Sequence, residues 1–230
     1  MKFHVRVITL CIKGFLSLVC RVDDKELAKV PKKGPFLLVM NHINFLEVPL
    51  VYTYIYPRPQ SSLIKIETWK NPFLGKIAKM WDAIPIKRSV SDFFALRAAD
   101  EALGSGKFLL LAPEGTRSGN GSLRRGKQGV AVIAAQRNVP IIPVVHYGGE
   151  LVWHNLRRGR RTDFTFKVGP VFRINLSRKE LSSSKRREIT DEVMAVIAST
   201  LPPAYRGYYR DKIPSEYRYL TFEDIRDGYK

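Results

Sequence analysis

The chain has 230 residues, of which 45% are hydrophobic, and its formal net charge is +18. This length and composition allow one substantial core and exclude a second catalytic domain of ordinary size. The excess of Lys and Arg predicts attraction to a polyanion, which can be nucleic acid, anionic lipid or a phosphorylated substrate. A membrane-spanning helix is disfavoured, because no run of about 18 uninterrupted apolar residues occurs.

The first twenty residues predict an amphipathic helix that lies in a membrane interface. At about 100° per residue, one narrow face holds Lys2, Arg6, Thr9, Lys13 and Ser17, and apolar side chains cover the rest. We expect the cations of this face to reach anionic head groups. Two alternatives stay open: a helix packed on the protein's own core, and a cleaved signal peptide, which the charge at Lys13 and the lack of a small-x-small cleavage site disfavour.

The two cysteines, Cys11 and Cys20, are predicted to be free thiols. On a helix they are separated by roughly 13 Å, which is too far for a disulfide. Free thiols are typical of a reducing compartment, and we therefore expect the protein on the cytoplasmic face of a membrane.

Beyond a connector that ends at residue 33, strands and helices alternate along the chain. The predicted strands are 36–40, 83–86, 108–112 and 141–145, followed by a strand pair, 164–168 and 171–174, about Gly169-Pro170. The predicted helices are 44–56, 73–81, 92–103, 127–136 and 185–201. This alternation is typical of an α/β fold with a largely parallel central sheet flanked by helices.

A histidine and a carboxylate follow the first predicted strand. His42 lies at the strand end and Glu47 five residues later, so the carboxylate can hold one imidazole nitrogen while the other takes a proton from a hydroxyl. Ligands of open α/β sheets bind at the carboxyl ends of strands, where His42 falls. Taken alone, such a pair is more often a structural one.

Three polar segments predict a phosphate site. The segment Pro113–Ser118 follows a strand and offers a flexible Gly, a hydroxyl and an Arg that can bind an oxyanion in a forked geometry. Further cations occur at Lys87-Arg88 and in the segment Leu123–Lys127. Each segment alone reads as an ordinary polar turn or a solvated charge run, but together at strand ends they indicate phosphate binding.

These blocks together resemble the 1-acylglycerol-3-phosphate acyltransferase (PlsC-type) family. Its His-x4-Asp block resembles His42–Glu47, a block ending in Arg resembles Ile84–Arg88, its Glu-Gly-x-Arg block resembles Glu114–Arg117, and its Pro-containing strand resembles Val139–Val144. The family's basic Phe-Lys-x-Gly element is similar to Leu123–Gly126. The resemblance covers roughly residues 35–175, and we divide the chain into three segments: a membrane-associating helix and connector (1–33), an acyltransferase domain (34–201) and a tail without an assigned role (202–230).

The resemblance implies transfer of a fatty acyl group from acyl-CoA or acyl carrier protein to lysophosphatidic acid, a membrane lipid, with no cofactor beyond that cosubstrate. In this mechanism His42 is the general base and Glu47 orients it. The residues that hold the substrate phosphate are Arg88, Thr116, Arg117 and Arg124, and Glu114 and Gly115 belong to the site, Glu114 by pairing with a neighbouring cation. No metal-binding pattern occurs in the sequence, so we expect no catalytic metal.

Several alternatives stay open. His146 also follows a strand and is a second candidate for the base. Glu47 departs from the family's Asp, which leaves room for an inactive membrane-binding relative. The acceptor can instead be glycerol 3-phosphate, another lysophospholipid or an acylated amino-acid lipid. A nucleic-acid-binding module fits the charge but leaves the ordered blocks unexplained, so an anionic membrane surface is the predicted partner and nucleic acid is not.

Overall fold

The computed structural model describes residues 3–87 and 92–224. Its helices are α1 (Phe3–Val19), α2 (Glu47–Tyr54), α3 (Pro72–Met80), α4 (Phe93–Gly104), α5 (Gly129–Arg137), α6 (Val152–Leu156) and α7 (Ser183–Thr200). Its strands are β1 (Cys20–Asp23), β2 (Phe36–Val39), β3 (Gln60–Lys65), β4 (Ile84–Ile86), β5 (Phe108–Leu111), β6 (Ile141–Tyr147), β7 (Thr162–Val168), β8 (Val171–Ile174) and β9 (Leu220–Glu223).

The strands within these ranges form one nine-stranded sheet in the order β1-β7-β6-β2-β5-β3-β4, with β8 pairing to β6 and β9 pairing to β8. Every pairing among β2, β3, β4, β5 and β6 is parallel, as is that of β1 with β7. The pairings of β6 with β7 and β8, and of β8 with β9, are antiparallel. The predicted α/β fold with a largely parallel sheet flanked by helices is confirmed.

The strand pair predicted about Gly169-Pro170 is arranged differently. β7 and β8 do not pair with each other; they follow one another along the edge of β6 that faces away from β2. The N–H of Gly169 donates to the carbonyl oxygen of Pro143 at 2.8 Å, which keeps the turn alongside β6. Because proline has no N–H to donate, Pro170 interrupts the ladder at this turn.

Helices cover both faces of the sheet, so that a separate hydrophobic core lies on each face. The residues of β2 alternate between these two cores. Successive strand residues point to opposite faces, and all four residues of β2 are buried. Leu37 and Val39 join the core that contains α4, α5 and α7, whereas Phe36 and Leu38 join the core that contains α1 and α2.

The central strand β3 has no counterpart among the predicted elements. Its first three residues, Gln60, Ser61 and Ser62, are polar yet buried. The Gln60 amide donates to the Tyr52 carbonyl oxygen at 2.8 Å, and the Ser61 hydroxyl donates to that of Asp82, whereas no group among the described residues pairs with the Gln60 side-chain oxygen or the Ser62 hydroxyl. The strand has no apolar pattern at its start, because tertiary hydrogen bonds hold the Gln60 amide and the Ser61 hydroxyl in the interior.

The N-terminal helix packs on the domain through Thr9 and Lys13 of the face whose cations we predict to reach lipid head groups. The predicted orientation is therefore wrong for Lys13, whereas Arg6 of the same face is exposed. Thr9 is 1% exposed and accepts a hydrogen bond from the Trp81 indole at 3.1 Å. The Lys13 ammonium lies 4.0 Å from the centre of the Tyr54 ring. The outer face instead presents exposed apolar side chains: Phe3, Val7, Ile8, Leu10, Phe15 and Leu18.

Two further observations concern the N-terminal region. Both cysteines are free thiols, as predicted, with Cys11 exposed and Cys20 buried. None of the helices in residues 3–87 and 92–224 is both long enough and apolar enough to cross a membrane.

Residues 202–224 return to the main domain. β9 pairs with β8 and extends the sheet. Tyr209, Tyr219 and Leu220 are buried in the same core as α7. The segment between α7 and β9 is therefore part of the folded unit.

Gly148, which follows β6, provides a test of how the loops at this end of the sheet are held. Its φ is +90°, and a Cβ there would overlap the carbonyl oxygen of Asp163. We predict that Gly148→Ala lowers the free energy of unfolding by about 3 kcal/mol, because backbone strain and the overlap add. Urea unfolding followed by circular dichroism measures this change.

Gly159→Ala is the matched control. Gly159 is also left-handed, with φ of +63°, but no atom approaches the position of a Cβ. This variant should lose only about 1 kcal/mol, which is the cost of the left-handed backbone alone. Equal losses in the two variants would show that the packing against Asp163 is unimportant.

Candidate active site

Three loops meet at one edge of the sheet because β2 pairs in parallel with both β5 and β6. The carboxyl ends of neighbouring parallel strands lie side by side. The loop after β2 carries His42, the loop after β5 carries Glu114, and the loop after β6 carries Gly149. A backbone hydrogen bond of 2.7 Å from the Ser118 N–H to the His42 carbonyl oxygen joins the first two loops.

His42 and Glu47 form a direct contact, as predicted from their spacing. The Nδ1–H of His42 donates to Oε1 of Glu47 in a short hydrogen bond. Glu47 is fully buried and His42 is 7% exposed. No group in the described ranges hydrogen-bonds to Nε2 of His42, so this nitrogen can accept a proton from a substrate hydroxyl.

The backbone before α2 holds the second oxygen of Glu47. Oε2 accepts hydrogen bonds from the N–H groups of Ile43 at 3.1 Å and Asn44 at 2.9 Å. The helix predicted to open near Asn44 starts at Glu47 instead, because the carboxylate folds back onto these two donors. The carboxylate that orients the imidazole is therefore itself fixed on three sides.

Two asparagines that the sequence analysis leaves without a role position this loop. The Asn41 side chain exchanges two hydrogen bonds of 2.9 Å with the backbone of His146 in β6. The Asn44 amide donates to the Gly149 carbonyl oxygen at 2.7 Å, and its oxygen accepts from the Leu46 N–H. The signal available in the sequence was their position on either side of His42.

His146 is near the site but is placed to support it. Its side chain is fully buried and stacks on Phe164, with ring centroids 5.0 Å apart. Nε2 donates to the Asn41 carbonyl oxygen at 3.0 Å and lies 3.5 Å from Oε2 of Glu47. Burial keeps the pKa of His146 below its usual value, so the ring is neutral. A fully buried imidazole cannot reach a substrate, so the structure places His42, and not His146, as the candidate base.

Glu114 connects the base to the basic loop that follows. Its Oε1 accepts from the His42 N–H at 2.6 Å, and its Oε2 accepts from the Arg124 N–H at 2.8 Å. The predicted pairing of Glu114 with a cationic side chain is wrong, because these backbone groups occupy both oxygens. Burial raises the pKa of Glu114 to about 7; the two N–H donors oppose this rise, and the charge of Glu47 adds to it.

The residues predicted to hold a phosphate are only partly brought together. Thr116 and Arg117 are exposed on the loop after β5, directly before Ser118, and Gly115 is half-buried beside Lys127. Arg124 is exposed and lines a cavity of about 520 Å³ that is open to the surface and also includes Ser118 in its lining. Their loops are therefore joined to the His42 loop through Ser118 and Glu114, and contact of these residues with phosphate stays a prediction.

Lys87, directly after β4, lies apart from the other two basic segments. β5 and β3 separate β4 from β2 in the sheet, which corresponds to about 14 Å at the usual strand spacing. Lys87 is exposed, and its N–H donates to Asp92 at 2.8 Å. Arg88, which we predict to bind phosphate, lies outside the described residues. Sequence spacing alone did not indicate how far this strand is from the base.

Within residues 3–87 and 92–224, no group of three or more His, Cys, Asp or Glu side chains is arranged to hold a metal ion. The expectation of a site without a catalytic metal stays a prediction from the sequence.

The raised pKa of Glu114 should make the free energy of unfolding depend on pH. The folded chain keeps this proton up to about pH 7, whereas an unfolded Glu loses it near 4.5, so the stabilisation is complete below 4.5 and is lost as the pH rises to 7. Relative to Glu114→Gln, the wild-type free energy of unfolding should therefore fall by up to about 3 kcal/mol across this range. Urea unfolding at a series of pH values measures it.

An exposed glutamate supplies the control for this experiment. Glu101 lies on the surface of α4 and pairs with Arg97. Glu101→Gln should keep the wild-type dependence on pH. If Glu114→Gln has the same pH dependence as this control, the protonation of Glu114 does not contribute.

Comparison with known proteins gives a consistent family. The family model described as acyltransferase matches residues 21–147. A 1-acyl-sn-glycerol-3-phosphate acyltransferase from Limnanthes alba is 31% identical over 59% of this chain and 46% of its own length. The enzyme of that name from Pseudomonas aeruginosa is 27% identical over 56% of this chain and 51% of its own.

A solved structure is also similar. The crystal structure of the 1-acyl-sn-glycerophosphate acyltransferase PlsC from Thermotoga maritima superposes with a TM-score of 0.60 at 25% identity, covering 85% of this chain and 78% of that one. The chain spans about half the length of the curated relatives it matches. Because the family model covers more than half of the 230 residues and includes the His42 and Glu114 loops, the chain belongs to the acyltransferase family.

Proposed function

We propose that the protein transfers a fatty acyl group from an acyl thioester to the free hydroxyl of 1-acylglycerol 3-phosphate, giving phosphatidic acid. The observation that carries this proposal is the buried His42–Glu47 pair, whose loop is joined by the Ser118 N–H to the loop that leads into a basic cavity. A hydroxyl nucleophile needs such a base, and a phosphorylated acceptor needs such cations. The names of the similar proteins support the same acceptor.

The chemical step requires only groups that the site contains. The acceptor hydroxyl attacks the thioester carbonyl carbon while Nε2 of His42 takes the hydroxyl proton. The new carbon–oxygen bond forms, the carbon–sulfur bond breaks, and the thiolate leaves with the proton that His42 returns. Glu47 fixes Nδ1 as the protonated nitrogen and stabilises the imidazolium in the intervening state. No enzyme nucleophile takes part in this sequence.

The acyl donor is proposed to be a soluble thioester, on CoA or on acyl carrier protein. Acyl transfer from either donor involves no redox step and no carbanion intermediate, so the proposed reaction needs no further cofactor. Arg124, Thr116 and Arg117 are proposed to hold the acceptor phosphate, because they are exposed next to the His42 loop. A fixed phosphate would present the neighbouring hydroxyl to Nε2.

We further propose that the protein docks on an anionic membrane, where its lipid acceptor resides. The outer face of α1 is apolar, with Phe15 at 64% and Leu18 at 74% exposure. Apolar side chains on one face of a surface helix are suited to lie in the boundary between head groups and acyl chains. Arg6 is exposed beside this face and is placed to contact head groups.

A second apolar patch lies beside the active-site loop. Phe45 and Trp153 are exposed, with ring centroids 5.3 Å apart, and Leu151 and Leu156 are exposed on the same short segment. The arginine-rich turn 157–161 follows, and Arg161 donates to the Ser17 and Cys20 carbonyl oxygens near the end of α1. The Arg161 contact thus places the apolar outer face of α1 next to this second apolar patch, with arginines at their border. One lipid surface could therefore contact α1 and the His42 loop at the same time.

Three substitutions test the acyl-transfer proposal. We predict that His42→Ala and Glu47→Gln lower kcat by about 10³-fold, since the general base or its orienting charge is lost. Glu47→Asp should lose about tenfold, because a shorter carboxylate cannot keep His42 and both backbone donors of Ile43 and Asn44. Thiol release from acyl-CoA in the presence of detergent-dispersed lysophosphatidic acid measures the rates.

The matched control is Glu101→Asp on the surface of α4, which should keep wild-type activity. Acceptor-dependent thiol release that survives in His42→Ala would overturn the assignment of the base. A gain of activity in Glu47→Asp would show that glutamate impairs the site. No release from the wild type with acyl-CoA or acyl carrier protein, and with several lysolipids, would indicate an inactive relative.

Vesicle flotation tests the docking proposal. Replacing Phe15 and Leu18 by serine should reduce binding to vesicles of anionic phospholipid by at least about tenfold, since two exposed apolar side chains are lost. Phe93 and Phe94, which are exposed on α4 across the sheet, provide the control when replaced by serine. If both double variants bind equally well, α1 is not the docking surface.

A further inference from the structure

We propose that residues 205–212 complete a binding site for the phosphate monoester of a substrate, in which Tyr208 forms one wall and Arg124, Arg125 and Lys212 supply the positive charge. This inference rests on the proposed function, because it assigns a substrate group to the same active-site region. The segment lies beyond the part of the chain that the family model matches.

The segment is clamped to the basic loop through the backbone. The Leu123 N–H donates to the Tyr205 carbonyl oxygen at 3.0 Å, and the Tyr208 N–H donates to the Leu123 carbonyl oxygen at 2.9 Å. Between them Gly207 has a φ of +47°, and a Cβ there would overlap the backbone of Leu123. The two backbone segments therefore approach too closely for any residue other than glycine at position 207.

A second anchor holds the far end of the same loop. The Gly126 N–H donates to the Tyr209 hydroxyl at 3.2 Å, and that hydroxyl donates to Asp191 of α7 at 2.7 Å. Arg187 donates to the Gly126 carbonyl oxygen at 2.7 Å while it pairs with Asp191. The backbone on both sides of Arg124 and Arg125 is thereby fixed, while their side chains stay exposed.

These contacts build the cavity of about 520 Å³ that adjoins the catalytic loop. Its lining includes Arg124 and Arg125 from the basic loop, Tyr208 from the tail, and Ser118, whose N–H donates to the His42 carbonyl oxygen. No carboxylate lines it among the described residues. A cavity with cations, hydroxyls and no acid is suited to an anion.

The outer part of the cavity wall is positive as well. The Lys212 ammonium lies 3.3 Å from the centre of the Tyr208 ring, and the Arg125 guanidinium carbon lies 5.9 Å from it. Lys212 also lowers the pKa of the Tyr208 hydroxyl. The ring thus keeps two cations close to the cavity, where a dianionic phosphate would meet both of them.

Two substrates of the proposed reaction carry this chemistry. Lysophosphatidic acid ends in a phosphate monoester, and CoA carries one on its ribose. Direct binding distinguishes them without any turnover: calorimetric titration of short-chain lysophosphatidic acid against the corresponding monoacylglycerol, and of CoA against dephospho-CoA. We expect the wild type to prefer the phosphorylated member of at least one pair, and that pair identifies the substrate.

The variants are Tyr208→Leu and Lys212→Gln, both at exposed positions, with Lys179→Gln on an exposed turn as the charge-matched control. Each tail variant should weaken binding of the preferred phosphorylated ligand by about five- to tenfold, the loss of one charge-assisted contact, and leave its unphosphorylated partner unchanged. The control should bind as the wild type does, and thermal unfolding verifies that all variants fold.

Two results would overturn the inference: wild-type protein that binds neither phosphorylated ligand better than its partner, or tail variants that bind as the control does. Failure of the proposed function looks different. In that case the phosphate-dependent binding and its loss in the tail variants persist, while no thiol is released by the wild type under any pairing of donor and acceptor.

Discussion

Parallel pairing of β2 with β5 on one side and β6 on the other brings the functional loops together. In a parallel sheet the carboxyl ends of adjacent strands share an edge, so residues far apart in the chain become neighbours. His42, Glu114 and Gly149 reach one place for this reason, although 72 residues separate the first hydrogen-bonded pair. An antiparallel partner on either side of β2 would have removed one of the three loops from this edge.

Burial of two carboxylates beside one another is the main energetic difficulty of this arrangement. A buried charge is costly unless hydrogen bonds compensate it. Glu47 meets this requirement with the imidazole of His42 and two backbone N–H groups, and Glu114 meets it with the backbone of His42 and Arg124. The same bonds that offset the cost determine the position of the base. Neutral His146 donates to the Asn41 carbonyl oxygen and fills the space behind Glu47 without adding a further charge.

The surface around the site joins two chemically different regions. Exposed apolar side chains of α1 and α6 lie on one side of the His42 loop, and exposed arginines of the loop after β5 lie on another. An acceptor with acyl chains in a membrane and a phosphate at its surface has the same division between apolar and charged parts. The proposed membrane-docking surface therefore matches the apolar part of such an acceptor, and the proposed phosphate site matches its charged part.

The sequence by itself determined the elements with strong apolar patterns and the order of the functional blocks. Strands such as Phe36–Val39 were predictable because buried parallel strands need continuous apolar residues, and the His42–Glu47 contact followed from its short spacing. Tertiary structure alone decided the rest. The polar start of β3, the two partners of Glu114 and the clamp of Gly207 on Leu123 depend on groups distant in the chain. The side of α1 that packs on the domain was not predictable either, because the hydrogen bond that buries Thr9 against Trp81 leaves no trace in the periodicity of the chain.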